Sequence, residues 1–119
     1  MQGYESIIIL DPNSTEENQA GLLAKFKETV EGKGGSVVHQ VQWGRRKLAY
    51  PVRKLDYGTY YLLYLDRRPE ALTALENVLR LDEGVLKWQT VSVDDVETEF
   101  TKFEKLKDEG SMAQTLSDR

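Results

Sequence analysis

The chain has 119 residues, of which 39% are hydrophobic, and its formal net charge is −4. This length predicts one domain, and no stretch approaches the roughly 18 consecutive apolar residues of a membrane span. Cysteine is absent, which excludes disulfides, thiolate catalysis and cysteine-ligated zinc and agrees with a reducing cytoplasm. The first residues show neither a secretory signal nor a transit-peptide pattern. The composition therefore predicts one compact soluble domain.

The negative charge is concentrated at one end of the chain. Residues 1–93 hold 12 basic and 12 acidic residues, whereas residues 94–119 hold 4 and 8. The body is therefore neutral, and the acidic pI describes only the C-terminal extension. A neutral body is compatible with a local nucleic-acid contact that the average charge would argue against.

The first two predicted elements are a buried strand and an amphipathic helix. Tyr4 to Leu10 contains a run of β-branched residues that is apolar on both faces, which favours a central strand. Ser14 and Glu17 form a capping-box pattern that predicts the start of a helix. The helix carries one apolar stripe, made of Leu23, Phe26 and Val30 with Leu22 beside it.

A glycine-rich segment, Gly32-Lys33-Gly34-Gly35-Ser36, follows this helix. It faintly resembles a phosphate-binding loop. Such a loop follows a strand, opens a helix and places Ser or Thr directly after the lysine, whereas these glycines close a helix and precede a strand. The segment is therefore interpreted as a helix stop and a tight turn.

The second predicted strand, Ser36 to Val52, changes register part-way. Its apolar residues occupy one parity before Gly44 and the other parity after it, which predicts a β-bulge at that glycine. Pro51 cannot donate a hydrogen bond to a neighbouring strand, so the strand is expected at an edge of the sheet.

The next elements complete the predicted fold. A turn over residues 54–58 leads to a third strand, Thr59 to Leu65, which is apolar on both faces and therefore central. Pro69 opens a second helix, and Val85 to Val93 form a fourth strand. The order β-α-β-β-α-β predicts an α+β, ferredoxin-like fold, a four-stranded antiparallel sheet with two helices on one face. The stripe of the second helix comprises Leu72, Leu75 and Leu79, with Ala71, Ala74 and Val78 flanking it.

Two parts of the chain are expected to differ in character. Residues 1–93 are predicted to form the ferredoxin-like domain, which would carry any local nucleic-acid contact. Residues 94–119 form an acidic C-terminal extension with a helical start, capped by Asp94 and Glu97, and a disordered end from Asp108 onwards. An apolar stripe on that helix favours docking on its own domain over docking on a partner; it comprises Val96, Phe100, Phe103 and Leu106.

The segment from Trp43 to Lys54 carries five cations and no acid. Cations bind phosphates, and aromatic rings such as those of Trp43 and Tyr50 stack on unpaired bases. Charges on an edge strand also protect against strand-to-strand aggregation, so composition alone leaves both interpretations open. The five cations are Arg45, Arg46, Lys47, Arg53 and Lys54.

Further aromatic residues lie in the third and fourth predicted strands. In a ferredoxin-like fold one face of the sheet has no helix, and aromatic side chains there would be available to bases or to a protein partner. Alternation along the strands does not decide which rings point to that face. The candidates include Tyr60 and Trp88, with Lys87 beside the latter.

Catalytic machinery is not indicated by the residue types present. His39 is the single histidine, and no acid stands at useful spacing in the sequence for a Ser-His-Asp arrangement. One histidine and no cysteine exclude histidine-rich and cysteine-based metal sites. A magnesium site made only of carboxylates stays possible, but the acids are scattered at helix starts and in the C-terminal extension. We therefore expect a protein that is not an enzyme, with no cofactor, no metal and no small-molecule substrate.

Four short segments carry a resemblance to a known family. They are Tyr4-Glu5, Asp11-Pro12-Asn13, Arg46-Lys47-Leu48-Ala49-Tyr50-Pro51-Val52 and Gly58-Thr59-Tyr60-Tyr61. In this order and spacing, over residues 4–93, they resemble the family of the sixth ribosomal protein of the bacterial small subunit. The Leu-Ala-Tyr-Pro run preceded by cations is the most specific of them.

This resemblance implies a structural protein of the cytoplasmic ribosome with a ferredoxin-like fold. It implies binding to the central domain of small-subunit (16S) ribosomal RNA, as a heterodimer with the eighteenth protein of that subunit. The alternative is a small protein-binding module that uses its edge strand without RNA. By position, the implied RNA contacts are Arg45, Arg46, Lys47, Tyr50, Arg53 and Lys54, and the expected partner or stacking residues are Trp43, Tyr50, Tyr60 and Trp88.

Overall fold

Four strands and three helices follow one another in the computed structural model of the chain, which describes residues 1–108. The elements confirm the predicted order β-α-β-β-α-β and add a helix after it. They are β1 (Gly3–Leu10), α1 (Glu16–Gly32), β2 (Val37–Val52), β3 (Leu55–Asp66), α2 (Pro69–Leu81), β4 (Val85–Val93) and α3 (Val96–Asp108).

The strands form one antiparallel sheet in the order β2-β3-β1-β4. The two strands that are apolar on both faces, β1 and β3, lie in the centre, as the sequence predicts. All eight residues of β1 are buried, so leaving such a strand at an edge would expose apolar surface on two sides. The strands β2 and β4 are the edges.

Helices α1 and α2 cover the first face of the sheet. The predicted stripe of α1 is confirmed, because Leu23, Phe26 and Val30 are buried in the core with β1 and β3. The predicted cap is wrong by one residue. Thr15, not Ser14, precedes the helix, and its hydroxyl accepts a hydrogen bond from the backbone N–H of Asn18 at 3.1 Å.

The stripe of α2 is rotated relative to the prediction. Leu75 and Leu79 are buried as expected, but Ala71 takes the third buried position and Leu72 is only half-buried. The side chain of Ala71 approaches Gly35, where a Cβ atom would lie 2.7 Å from it. A small residue on α2 therefore lets the helix meet the turn that follows α1.

The second face of the sheet is covered by α3, so the expectation of an open face is wrong. Val96 and Phe103 are buried against this face and Phe100 is half-buried. The start of α3 is also tied to the N-terminus, because the backbone N–H of Val96 donates to the carbonyl of Met1 at 2.8 Å. The prediction of disorder at the chain end falls mainly on residues 109–119, which lie outside the described residues.

A two-residue turn joins β2 to β3. Val52 pairs with Leu55, and the two residues between them, Arg53 and Lys54, have φ angles of 51° and 65°. The prediction of a turn over residues 54–58 is therefore wrong, since β3 begins at Leu55. Positive φ at both central residues matches the twist of the flanking strands, which is why such turns form tight hairpins.

Candidate nucleic-acid interface

A β-bulge divides β2 into two halves. The pairing with β3 shifts between Gln42 and Gly44, and Gly44 has a φ of 98°, which confirms the predicted bulge. Glycine takes this conformation without a steric penalty. We call residues 37–43 the covered half, because α3 packs on them, and residues 44–52 the basic half.

Arg45 and Lys47 are exposed on the basic half. The guanidinium carbon of Arg45 lies 4.8 Å from the ring centroid of Tyr57 on β3, a cation–π contact. Tyr57 is itself 41% exposed. The sequence analysis placed Tyr57 in a turn and did not predict this contact. The contact forms because the pairing of β2 with β3 brings the two side chains together across the hairpin.

Arg46 points to the opposite side of the strand from Arg45. Its guanidinium carbon lies 5.1 Å from the ring centroid of Trp43, and its Nε is buried without a hydrogen-bond partner among residues 1–108. A buried donor without a partner is costly. An acceptor that approached Arg46 from outside would remove this cost.

The five cations of the segment form no ion pair with a carboxylate of residues 1–108. Ion pairs do form elsewhere, such as that between Lys25 and Asp82 at 3.6 Å. Arg45, Lys47 and Lys54 are all exposed, and none of them is paired with an acidic side chain of residues 1–108. Their charge is available to an external anion.

Tyr50 and Lys87 bring the two edge strands together. The Lys87 ammonium donates a hydrogen bond to the Tyr50 hydroxyl at 2.6 Å and lies 4.7 Å from the centroid of its ring. Tyr50 remains 56% exposed. Lys87 was outside the predicted RNA-binding set, and the structure adds its charge to the hairpin.

Arg53 differs from the other four cations because its guanidinium is already hydrogen-bonded. It donates to the backbone carbonyls of Glu83, at 2.7 Å, and Val85, at 3.2 Å. Both acceptors lie where the turn after α2 leads into β4. The tip of the β2–β3 hairpin is therefore attached to the opposite edge of the sheet.

The remaining predicted stacking residues do not share one surface. Trp43 and Tyr60 are 5% and 1% exposed, and the Trp43 ring lies edge-on to those of Tyr60 and Phe103 at 5.3 and 5.4 Å. A base or partner could reach Trp43 or Tyr60 only after α3 had left the sheet. Trp88 packs on the first face, where Arg80 lies 6.0 Å from its ring centroid.

His39 links α3 to the covered half of β2 through a hydrogen bond and a ring stack. Its Nε2 lies 2.9 and 3.0 Å from the two carboxylate oxygens of Glu97, and its ring stacks on Phe100 with centroids 3.7 Å apart. Sequence spacing could not show the acid, because Glu97 is 58 positions away. The contacts give His39 a structural part rather than a catalytic one.

A groove of about 500 Å³ lies between α1 and β2. Glu16 and Lys27 of α1 line the groove, as does Tyr61. The Tyr61 hydroxyl donates a hydrogen bond to the Oε1 of Gln19 at 3.1 Å. Burial, with a smaller contribution from the Glu16 carboxylate, raises the pKa of Tyr61. The groove has no nucleophile and base in contact, so it offers no arrangement for acyl or phosphoryl chemistry.

Among residues 1–108, no three or more His, Asp or Glu side chains cluster in a way that could hold a metal ion. No helix in that range is long and apolar enough to cross a membrane.

Comparison with known proteins identifies the family. The profile of ribosomal protein S6 matches residues 3–92. The chain belongs to the ribosomal protein S6 family. A small ribosomal subunit protein bS6 from Caldanaerobacter subterraneus subsp. tengcongensis is 37% identical over 95 residues, which cover 80% of this chain and 100% of the relative. That from Clostridium novyi is 40% identical over 92 residues, covering 77% and 97%.

A solved structure agrees with the S6 assignment. The crystal structure of 30S ribosomal protein S6 from Thermotoga maritima superimposes with a TM-score of 0.74 at 31% identity, covering 87% of this chain and 97% of that one. Membership makes the chain a structural component of the bacterial small ribosomal subunit, on the cytoplasmic ribosome, rather than an enzyme. The profile match ends before α3, so that helix lies outside the matched part.

Proposed function

We propose that this S6 protein binds small-subunit (16S) ribosomal RNA through the basic half of β2 and the turn that follows it. The observation that carries the proposal is the set of exposed cations without carboxylate partners. Arg45, Lys47 and Lys54 provide positive charge, and Arg46 provides a buried donor that has no acceptor within residues 1–108. Phosphate oxygens would meet both requirements, because they carry charge and accept hydrogen bonds.

The physical basis of the binding is electrostatic. Each phosphate that a Lys or Arg neutralises releases condensed counterions, which makes the affinity fall steeply with salt. Tyr50 and Tyr57 are the exposed aromatic residues beside these cations, at 56% and 41%. We propose that their rings stack on unpaired bases, whereas Trp43 and Tyr60 support the strand from within the core.

We propose further that the eighteenth protein of the small subunit pairs with this chain along the outer edge of β2. That edge has no partner strand among residues 1–108, and the groove between α1 and β2 lies beside it. An unpaired edge and an adjacent groove can accept an extended or helical segment. The heterodimer would then present a composite surface to RNA that neither chain offers alone.

The protein-binding module without RNA remains the alternative, because the same free edge supports it. The two functions differ in their use of charge. Strand addition at β2 depends on backbone hydrogen bonds, whereas RNA binding depends on the cations. A variant that removes cations and keeps the strand therefore separates them.

The decisive variant changes Arg45, Arg46 and Lys47 together to Ala. We expect the affinity for transcribed small-subunit RNA, measured by filter binding with the eighteenth protein present, to fall on the order of a hundredfold at physiological salt. The slope of log affinity against log salt should flatten by about 2 units for three lost phosphate contacts.

The matched control is a charge-neutral change on the same hairpin, Ala49→Ser. It alters an exposed side chain without removing a cation, and wild-type affinity is expected. Wild-type affinity and slope in the triple variant, with the heterodimer intact, would exclude the RNA interface and leave the protein-binding function.

A further inference from the structure

The tip of the β2–β3 hairpin crosses the sheet to reach the opposite edge. The strand order is β2-β3-β1-β4, so β2 and β4 are the two edges of the sheet. Arg53, in the turn after β2, donates hydrogen bonds to two backbone carbonyls at the start of β4. The same turn after α2 is bonded to the end of β1, where the N–H of Asp11 donates to the carbonyl of Gly84 at 2.9 Å. Arg53 thus attaches the hairpin to a fixed part of the fold.

The turn that holds Arg53 has an unfavourable backbone. Both of its central residues have positive φ, a conformation that costs a residue with a Cβ atom about 1 kcal/mol or more. Asn-Gly or Asp-Gly would form this turn more readily. A strained turn persists when contacts outside it hold it in place, and the two bonds from Arg53 to Glu83 and Val85 are such contacts.

We infer that Arg53 is a positioning residue of the RNA interface rather than a phosphate contact. This inference rests on the proposed function, because it assigns a role within that interface. Arg53 holds the hairpin tip in place, so Lys54 and the basic half of β2 are already ordered before they contact RNA. Binding then loses less conformational freedom than it would with a loose hairpin.

The chemistry of the bond explains why arginine occupies this position. A guanidinium can donate to two carbonyls at once from a rigid planar group, whereas the lysine ammonium is a single flexible point charge. A phosphate, in contrast, is bound well by either residue. Replacement of Arg53 by Lys therefore loses the paired donation from a planar group to two carbonyls while it keeps the charge.

A second contact supports the same arrangement. Lys87 of β4 donates to the Tyr50 hydroxyl of β2, so the hairpin is attached to β4 at two places along its length. These contacts join strands that are not neighbours in the sheet. Their common effect is to hold the hairpin across the end of the sheet.

The test compares Arg53→Lys and Arg53→Ala with Lys47→Ala in the full-length chain, with small-subunit RNA as the probe and the eighteenth protein present. We expect both Arg53 variants to lower affinity to a similar extent, roughly three- to tenfold, and to keep the wild-type salt slope. Lys47→Ala should flatten that slope by about 0.7 to 0.9. Arg67→Ala, a change to an exposed arginine that contacts Tyr4, serves as the control with wild-type affinity.

Hydrogen exchange of the free protein provides a readout that does not depend on RNA. In Arg53→Lys, the amides of Val52 and Leu55, which close the turn, should exchange faster than in the wild type, while those of β1 keep their protection. A circular-dichroism melt establishes that the variants are folded.

Wild-type affinity in Arg53→Lys would overturn the inference, and a slope loss in Arg53→Ala equal to that of Lys47→Ala would overturn it and make Arg53 a phosphate contact. Unchanged exchange in Arg53→Lys would overturn the attachment itself. If Lys47→Ala and the triple cation variant bind RNA normally, the proposed function fails and the role of Arg53 fails with it. Faster exchange in Arg53→Lys would then still show that the hairpin is attached.

Discussion

The two halves of β2 belong to one strand but have opposite surroundings. In the covered half, Val41 and Trp43 are each 5% exposed, and His39 has its acceptor in Glu97. In the basic half, Arg45 and Lys47 are exposed without a carboxylate partner in residues 1–108. The bulge at Gly44 separates the halves. The difference shows that a single edge strand can stabilise the fold with one part and present charge with the other.

The polar groups of the two halves are satisfied in different ways. His39 obtains both a carboxylate and an aromatic neighbour from α3, so this polar side chain is satisfied within the chain. Arg46 keeps a buried donor without an acceptor in the described residues. Native folds rarely leave such donors unpaired. Arg46 is therefore the residue of β2 that a hydrogen bond to an external acceptor would stabilise most.

The largest expected effect is on the covered half, from Phe103→Ala. Phe103 is 3% exposed and touches Trp43, so its loss leaves a cavity that costs about 3 kcal/mol. We expect the melting temperature to fall by roughly 10 °C and the tryptophan fluorescence to shift to longer wavelength as Trp43 meets water. RNA affinity of the folded variant should be unchanged.

Lys102→Ala is the control for this experiment, because Lys102 lies on the same helix with its side chain exposed. It should keep the wild-type melting temperature and emission. A Phe103→Ala protein with wild-type stability and fluorescence would show that α3 does not cover the strand in solution, and the distinction between the two halves would fail.

A smaller effect is expected at the boundary between the halves, from Gly44→Ala. No atom lies within 4 Å of an added Cβ, so the cost arises from the φ of 98° alone, and we expect about 1–2 kcal/mol. Urea unfolding measures it. Gly21→Ala is the matched change, because Gly21 has equal space in the middle of α1, and there alanine should stabilise by about 0.5–1 kcal/mol. Equal effects at the two glycines would contradict the bulge geometry.

The smallest effect concerns the attachment of α3 at low pH. Hydrogen bonds from the N-terminal ammonium at 2.7 Å and from the Thr98 hydroxyl lower the pKa of Asp95 from 3.8 to about 2. Because the folded-state pKa is the lower one, this contribution to stability is present above about pH 4 and is lost as the pH falls towards 2. Melting temperatures across that range should depend less on pH in Asp95→Asn.

Asp94→Asn provides the comparison for this measurement, since Asp94 is adjacent and exposed. It should retain the acid dependence of the wild type. The same pH dependence in Asp95→Asn and the wild type would show that the N-terminus does not hold the start of α3.

The order of the elements could be predicted because it depends on local patterns. Runs of apolar residues of both parities marked β1 and β3 as central strands, and Pro69 marked the start of α2. The turn after β2 could not be predicted in this way. Arg53-Lys54 is not a sequence that favours positive φ, and the conformation coincides with contacts to a turn 30 positions away.

The residues of the candidate interface were predicted in type but not in role. The sequence by itself determined that three cations and two aromatic residues share one strand and that two more cations follow it directly, because both composition and strand alternation are local properties. Tertiary structure decided which of them face solvent. Trp43 is buried because α3 folds back over it, and the contact of Arg53 with β4 and the approach of Lys87 to Tyr50 join strands distant in sequence. Such contacts depend on the position of whole elements, and no residue spacing contains that information.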